Sequence, residues 1–281
     1  MSYRRISWIF LLLANALCAS AGTLAQFRTT IGNFDVELYD QDKPVTVQNF
    51  IRYVQSGLYT NMIMHRVVTN FVIQGGGIAV YNRNTTNNTL AYIATFDPIT
   101  NEYAVGKFYS NLYGTMAMAK TADPNSATSQ FFFNLTNNAA ALDNTTNSGG
   151  FTVFGRVVAG TNILNRFKIG ATNRIVKKVN LGAPIDELPV LYTANSANPT
   201  FNDLIYVDIS LLNVQVSIRT NGVRQISWNS ASNKVNYVEY TTNLPPTWYT
   251  LVSTNGNGKT ITVTDSSVGA ARRFYRVRVV Y

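Results

Sequence analysis

The chain has 281 residues, 46% of them hydrophobic and 13% charged, the composition of folded domains and not of disordered or fibrous chains. One cysteine and one histidine leave no ordinary zinc site and no disulfide framework. The formal net charge of +9 is uneven: residues 22–212 carry 13 Lys+Arg against 12 Asp+Glu, residues 213–281 carry 8 against 2. That asymmetry places a domain boundary near residue 212 and gives the length of two modest domains.

Residues 1–21 read as a secretory signal peptide. Arg4 and Arg5 precede an apolar run from Ile6 to Leu17, and Ala19-Ser20-Ala21 offers a cleavage site before Gly22. The run of about a dozen residues is short of the ~20 that a spanning helix needs. A lipoprotein reading of Cys18 fits Asn15-Ala16-Leu17 poorly. The expectation is an exported bacterial protein, periplasmic or extracellular, whose mature form is soluble and free of cysteine.

From Gln26 the chain reads as a hairpin. Phe34, Val36 and Leu38 alternate with Asp35, Glu37 and Tyr39, and Gly32-Asn33 supplies the turn. Pro44 then opens an amphipathic helix carrying Val47, Phe50, Ile51 and Val54, closed by Gly57. Two β-prone runs follow between Met62 and Gly77. Alternation lets Met62, Met64 and Arg66 share a face, as it does Val72 and Gln74, so a cation, a ring and an amide on neighbouring strands gather over one shallow surface. His65 faces away from Arg66 on the same alternation and has a core or surface role. Gly75-Gly76-Gly77 lacks the Lys-Ser/Thr ending of a phosphate loop and reads as a tight strand exit.

Ile78 to Asn111, rich in Asn and Thr, reads as a long irregular surface loop. Gly114 to Asn134 fits strand, turn and strand. Phe151 to Val157 fits another strand, and Thr161 caps a short helix with Ile163, Leu164 and Phe167 that closes at Gly170. Ile185 to Pro189 and Leu204 to Leu212 complete the last strand. Beyond it, Val214, Val216, Ile218, Trp228, Val235, Tyr237, Tyr240, Tyr275, Val277 and Val279 recur in short alternating runs. Turn signals separate them at Asn221-Gly222, Asn229-Ser230, Pro245-Pro246 and Asn255-Gly256, the pattern of a small β-sandwich.

Three blocks stand in a particular order: Met64-His-Arg-Val-Val-Thr-Asn-Phe-Val-Ile-Gln-Gly-Gly-Gly77, then Gly114 to Asn134 with Ser129-Gln-Phe-Phe132 near its end, and then Asn137-Asn-Ala-Ala-Ala-Leu-Asp143 followed by Phe151-Thr-Val-Phe-Gly-Arg-Val157. In order and spacing they resemble the cyclophilins, the peptidyl-prolyl cis/trans isomerases, over roughly residues 26–212. The resemblance implies a mainly β fold, a closed eight-stranded antiparallel barrel capped by two helices. Residues 213–281 loosely resemble the fibronectin-III/immunoglobulin-like modules of exported bacterial proteins. For the site it implies Arg66, Gln74 and Phe71 as catalytic residues. Val72, Ala119, Lys120, Gln130, Phe132, Leu142 and Phe151 then line the substrate groove, while Phe131 and Phe133 stay in the core. No metal and no cofactor are implied, and the partners are X-Pro segments of polypeptide clients.

The chain departs from the family pattern at three rim positions. Val72 stands where methionine is common, Ala141 where tryptophan or phenylalanine is, and Phe151 where histidine or tyrosine is. Weak cyclosporin binding is expected from Ala141. A non-catalytic proline-peptide binding module of the cell envelope is the alternative that these changes motivate. Nucleic acid is not an expected partner, since no basic stripe is interleaved with aromatics. The basic residues after 212 serve either envelope association or simple solubility.

Overall fold

The computed structural model describes residues 23–146, 148–168, 175–212, 214–219, 222–230, 235–243, 246–257, 259–267 and 272–280. The expected leader at 1–21 lies outside them, as do Gly170, Asn221 and Pro245. The described chain is mainly β.

Strands β1 (Leu24–Thr29) and β2 (Gly32–Leu38) form the first hairpin, with Thr29 opposite Gly32. The connection is therefore Thr30-Ile31 and not Gly32-Asn33. Gly32 opens β2 at φ 132°, where a Cβ would meet Ile163 Cδ1 at 2.6 Å, so its glycine serves a close approach more than a turn. Helix α1 (Pro44–Gln55) begins on its proline and is followed by Gly57 at φ 77°. It buries Thr46, Val47, Asn49, Phe50 and Tyr53.

Strands β3 (Met62–Ile63) and β4 (Arg66–Val68) share one run, followed by β5 (Val72–Gly75), β6 (Ile78–Tyr81) and β7 (Thr89–Tyr92). Met62, Met64 and Val67 all enter the core, so the alternation loses a step at Met64-His65. Arg66 consequently does not share the face of the two methionines. The backbone changes partner there: Met64 N donates to Ile205 O at 2.9 Å and His65 N to Gln74 O at 3.0 Å. The β6–β7 hairpin also occupies part of the stretch expected to be irregular. Its Ile78, Ala79 and Val80 are buried, and Asn82 and Asn84 take positive φ in the connection.

Next come β8 (Thr115–Met118), β9 (Phe131–Asn134), α2 (Ala139–Leu142), β10 (Val153–Ala159) and α3 (Thr161–Leu164), the last running into a 3₁₀ turn at Asn165–Phe167. Gly160 at φ 75°, not Thr161, occupies the N-cap of α3. Strands β11 (Val176–Val179) and β12 (Leu188–Leu191) form their own ladder before β13 (Tyr206–Leu212). The main sheet runs β4-β5-β9-β8-β10-β2-β1-β13-β3-β6-β7 and curls round a core in which Phe27 stacks on Phe34 at 5.0 Å and meets Phe133 edge-on at 5.2 Å. Among the described residues the sheet is accompanied by the twelve-residue α1, by the four-residue α2 and α3, and by 3₁₀ turns at Asn165–Phe167 and Phe201–Asp203, where the resemblance implied two capping helices.

Six further strands follow: β14 (Val214–Ile218), β15 (Arg224–Asn229), β16 (Val235–Thr241), β17 (Tyr249–Asn255), β18 (Thr260–Asp265) and β19 (Phe274–Val280). They make two three-stranded sheets, β14-β15-β18 and β17-β16-β19. Ile226 and Trp228 from one and Val238 and Val277 from the other share a buried cluster with Leu212, the last residue of β13. Trp228 Nε1 donates to Asn236 Oδ1 at 3.1 Å inside it. Burial alone would raise the pKa of Glu239, but hydrogen bonds from Arg278 and Arg276 hold it below the usual carboxylate range. Among the described residues no helix is long and apolar enough to cross a membrane.

Candidate active site

Arg66, Gln74, Phe132, Ala117 and Val153 stand in register across β4, β5, β9, β8 and β10. Partners directly opposite in antiparallel strands present their side chains to one face. These five form a row on the side away from the core, while their neighbours Val67, Ile73, Phe133 and Met116 point into it. The row is polar at one end and apolar at the other.

At the polar end Arg66 Nη1 donates to Gln74 Oε1 at 3.3 Å, and Gln74 Nε2 donates to Gln130 Oε1 at 2.7 Å. Glu187 Oε2 lies 2.9 Å from Arg66 Nε, and its other oxygen accepts from Lys178 Nζ at 3.2 Å. The Arg66 side chain stays 40% exposed, so its guanidinium is held but still open to a visiting chain. His65 lies behind Gln130. A Cβ on Gly77 would sit 2.9 Å from both Gln130 Cδ and His65 Cε1, so the bare glycine lets ring and amide meet. Burial pushes the His65 pKa down to about 4, against a side-chain hydrogen bond with Gln130, and the ring is neutral at pH 7.

At the apolar end Val72, Ala117, Phe132, Leu142 and Val153 form a buried cluster, with Phe71, Ala119, Phe151, Tyr39 and Tyr109 packed on it. Phe151 meets Phe132 edge-on at 5.9 Å, and its backbone N donates to Leu142 O at 3.0 Å. Lys120 Nζ stands 4.3 Å above the Phe151 ring and donates to Ser148 Oγ at 2.7 Å; burial lowers its pKa. Ala119 N donates to Gln130 O at 2.9 Å, which ties the ledge to the polar end. Ala141 is exposed on α2 beside this cluster.

Phe71 sits in the turn before β5, its N donating to Val68 O at 3.0 Å, and Val72 joins the same cluster. Asn70 at φ 54° makes this turn. Inward alternation starts only at Ile73.

Several supporting residues carried no signal in the sequence. Asn138 Nδ2 donates to Phe71 O at 2.9 Å and Asn134 Oδ1 at 2.7 Å, while Asn134 Nδ2 donates to Asn111 Oδ1 at 3.0 Å. This chain of buried amides fixes the Phe71 turn. Tyr39 and Tyr109 stack at 3.8 Å, and burial with the Asp42 hydrogen bond raises the Tyr109 pKa. Tyr109 and Asn111 lie in the stretch read as featureless loop. Glu187 is 121 positions from Arg66, beyond the reach of any local pattern.

What the row offers chemically is a cationic donor beside an apolar, partly aromatic cluster. The family model described as cyclophilin type peptidyl-prolyl cis-trans isomerase/CLD matches residues 24–186. A peptidyl-prolyl cis-trans isomerase of Acinetobacter baylyi is 38% identical over 148 residues, which cover 53% of this chain and 73% of that protein. Peptidyl-prolyl cis-trans isomerase A of Dickeya dadantii is 38% identical over 160 residues, 57% of this chain and 78% of that protein. Peptidyl-prolyl cis-trans isomerase B of Escherichia coli is 38% identical over 153 residues, 54% and 87% of the two chains. A solved Cryptosporidium parvum cyclophilin type isomerase aligns at 22% identity and a TM-score of 0.43, covering 67% of this chain and 96% of that one.

Proposed function

The chain belongs to the cyclophilin-type peptidyl-prolyl cis-trans isomerases, and from that premise we propose that it isomerises X-Pro bonds of exported clients with Arg66 as the catalytic donor. Rotation about a prolyl amide meets a barrier of about 18–20 kcal/mol because resonance must break. Midway the prolyl nitrogen regains a lone pair. A fixed guanidinium aimed at that nitrogen binds the twisted amide better than either planar form, which is catalysis by differential binding. The observation that carries this reading is the register of Arg66, Gln74 and Phe132 in one cross-strand row.

In this reading Phe71, Val72, Phe132 and Leu142 receive the proline ring. Ala119, Lys120 and Gln130 hold the adjoining backbone, and Phe151 closes the rim. No nucleophile, metal or cofactor takes part in the rotation. Preorganised donors of this kind contribute about 3–4 kcal/mol. Arg66→Ala is therefore expected to lower kcat/KM for an X-Pro peptide at least a hundredfold with the melting transition preserved. Proline-peptide binding with no change in the cis/trans rate of the wild type would replace catalysis by recognition.

Three further readings belong to the same proposal. The closed eight-stranded barrel is the reading in which β3 and β4, both within the run 62–68, count as one strand that joins β5 to β13, with the β6–β7 hairpin added to that ring. Residues 22–212 form the isomerase domain and 213–281 a fibronectin-III/immunoglobulin-like sandwich. Residues 1–21 direct export, and the basic sandwich supplies either envelope association or solubility.

A further inference from the structure

We infer that Glu187 is the positioning residue of Arg66, an inference that rests on the isomerase reading above. Arginine has a long flexible stem, and a guanidinium that is 40% exposed samples several rotamers unless something holds it. Gln74 alone holds it loosely, at 3.3 Å through Nη1. The Glu187 carboxylate sits on the other side of the fork, 2.9 Å from Nε. Contacts at Nε and Nη1 leave the Nη2 end of the fork for the substrate.

Glu187 is itself well placed to act as a fixed post. Its carbonyl accepts from Val67 N at 2.8 Å, so its backbone is bonded to the residue next to Arg66. The following Leu188 and Val190 are fully buried in a cluster with Ile63, Ile78 and Val80. Lys178, across the β11–β12 hairpin, holds the second carboxylate oxygen at 3.2 Å. The hairpin thus brings an acid to the arginine from outside the row, and Glu187 stands one position past the end of the family match at residue 186.

A half-exposed ion pair contributes little to stability. An angstrom of misplacement in a catalytic group, by contrast, lowers rates steeply. Glu187 therefore matters to rate through Arg66 and hardly to folding.

The test uses the full chain and an X-Pro peptide whose exchange is followed by NMR to give kcat and KM. Glu187→Gln keeps the shape and removes the charge. It is expected to lower kcat about tenfold, leave KM within twofold, and shift the Arg66 Nε–H resonance. In an Arg66→Ala background the same substitution is expected to cause no further loss, as coupled residues behave in a double-mutant cycle. Glu187→Ala repeats the test with the side chain removed, and Glu187→Asp is expected to recover part of the rate. An unchanged kcat with an unmoved Nε–H resonance in Glu187→Gln overturns the inference, as does an equal loss with and without Arg66. If Arg66→Ala is slow and Glu187→Gln is not, only the positioning role falls. If the wild type gives no acceleration, the isomerase reading falls first and this one with it.

Discussion

Gln74 Nε2 donates to Gln130 Oε1 across 2.7 Å, and this one bond joins the amide that touches Arg66 to the backbone ledge at Ala119. Gln130→Ala removes the acceptor that orients the Gln74 amide. The expected outcome is a loss of about tenfold in kcat/KM, or ~1.4 kcal/mol of transition-state stabilisation, with unfolding in urea changed by less than ~1 kcal/mol. A rate within twofold of wild type would show that Gln74 keeps its orientation unaided.

His65 makes stability depend on pH. Its folded pKa of about 4 lies below the unfolded value of 6.5, so between those values the unfolded chain binds the proton and the native one does not. Stability is then fully present above pH 6.5 and declines as pH falls toward 4. The total at stake is about 3 kcal/mol, from 1.36 kcal/mol per unit. His65→Gln is expected to flatten urea midpoints across pH 4–6.5. A slope identical to wild type would assign the pH dependence to other groups.

Lys43 and Glu102 cap each other's backbone. Lys43 Nζ donates to the carbonyls of Glu102 at 2.9 Å, Tyr103 at 3.4 Å and Val105, while the Glu102 carboxylate accepts from Val45 N at 3.1 Å and Thr46 N at 2.7 Å at the start of α1. Burial lowers the Lys43 pKa, opposed by the nearby charge of Glu102. Lys43→Met leaves buried carbonyls without a donor, and a loss of about 3 kcal/mol in urea unfolding is expected. Because the same loop carries Tyr109, amide exchange should quicken from 100 to 111.

Gly76 has φ 81°, and a Cβ there would lie 2.4 Å from Ser129 O. Gly76→Ala is expected to cost about 3 kcal/mol through backbone strain and the forced retreat of Ser129. Ser129 precedes Gln130, so activity should fall in the molecules that remain folded. A variant as stable and active as wild type would show that the strand exit can re-form around a methyl group.

Some of this architecture was legible before the structure. Helix α1 announced itself by a proline start and a helical apolar spacing, both properties of neighbouring residues. The groove residues were named from three motif blocks, and the structure gathers them around one row. What stayed hidden depends on distant parts of the chain. The turn at Thr30-Ile31 was misplaced because Gly32 answers to Ile163, 131 positions away. The shared face of Met62, Met64 and Arg66 failed because Met64 and His65 bond to different strands. The β6–β7 hairpin was masked by its Asn and Thr content, and neither Glu187 nor the Asn111-Asn134-Asn138 amides follow a local pattern.

Arg66 sits just past the point where the backbone passes from Ile205 to Gln74, and its neighbour Val67 is bonded to Glu187. Segments well over a hundred residues downstream must already have arrived before the guanidinium has a defined place. A nascent or clipped copy ending before them carries every motif of the catalyst and none of its poise. Under the mechanism proposed above, a copy ending before Glu187 is expected to leave the prolines around it, including its own, at their uncatalysed rate.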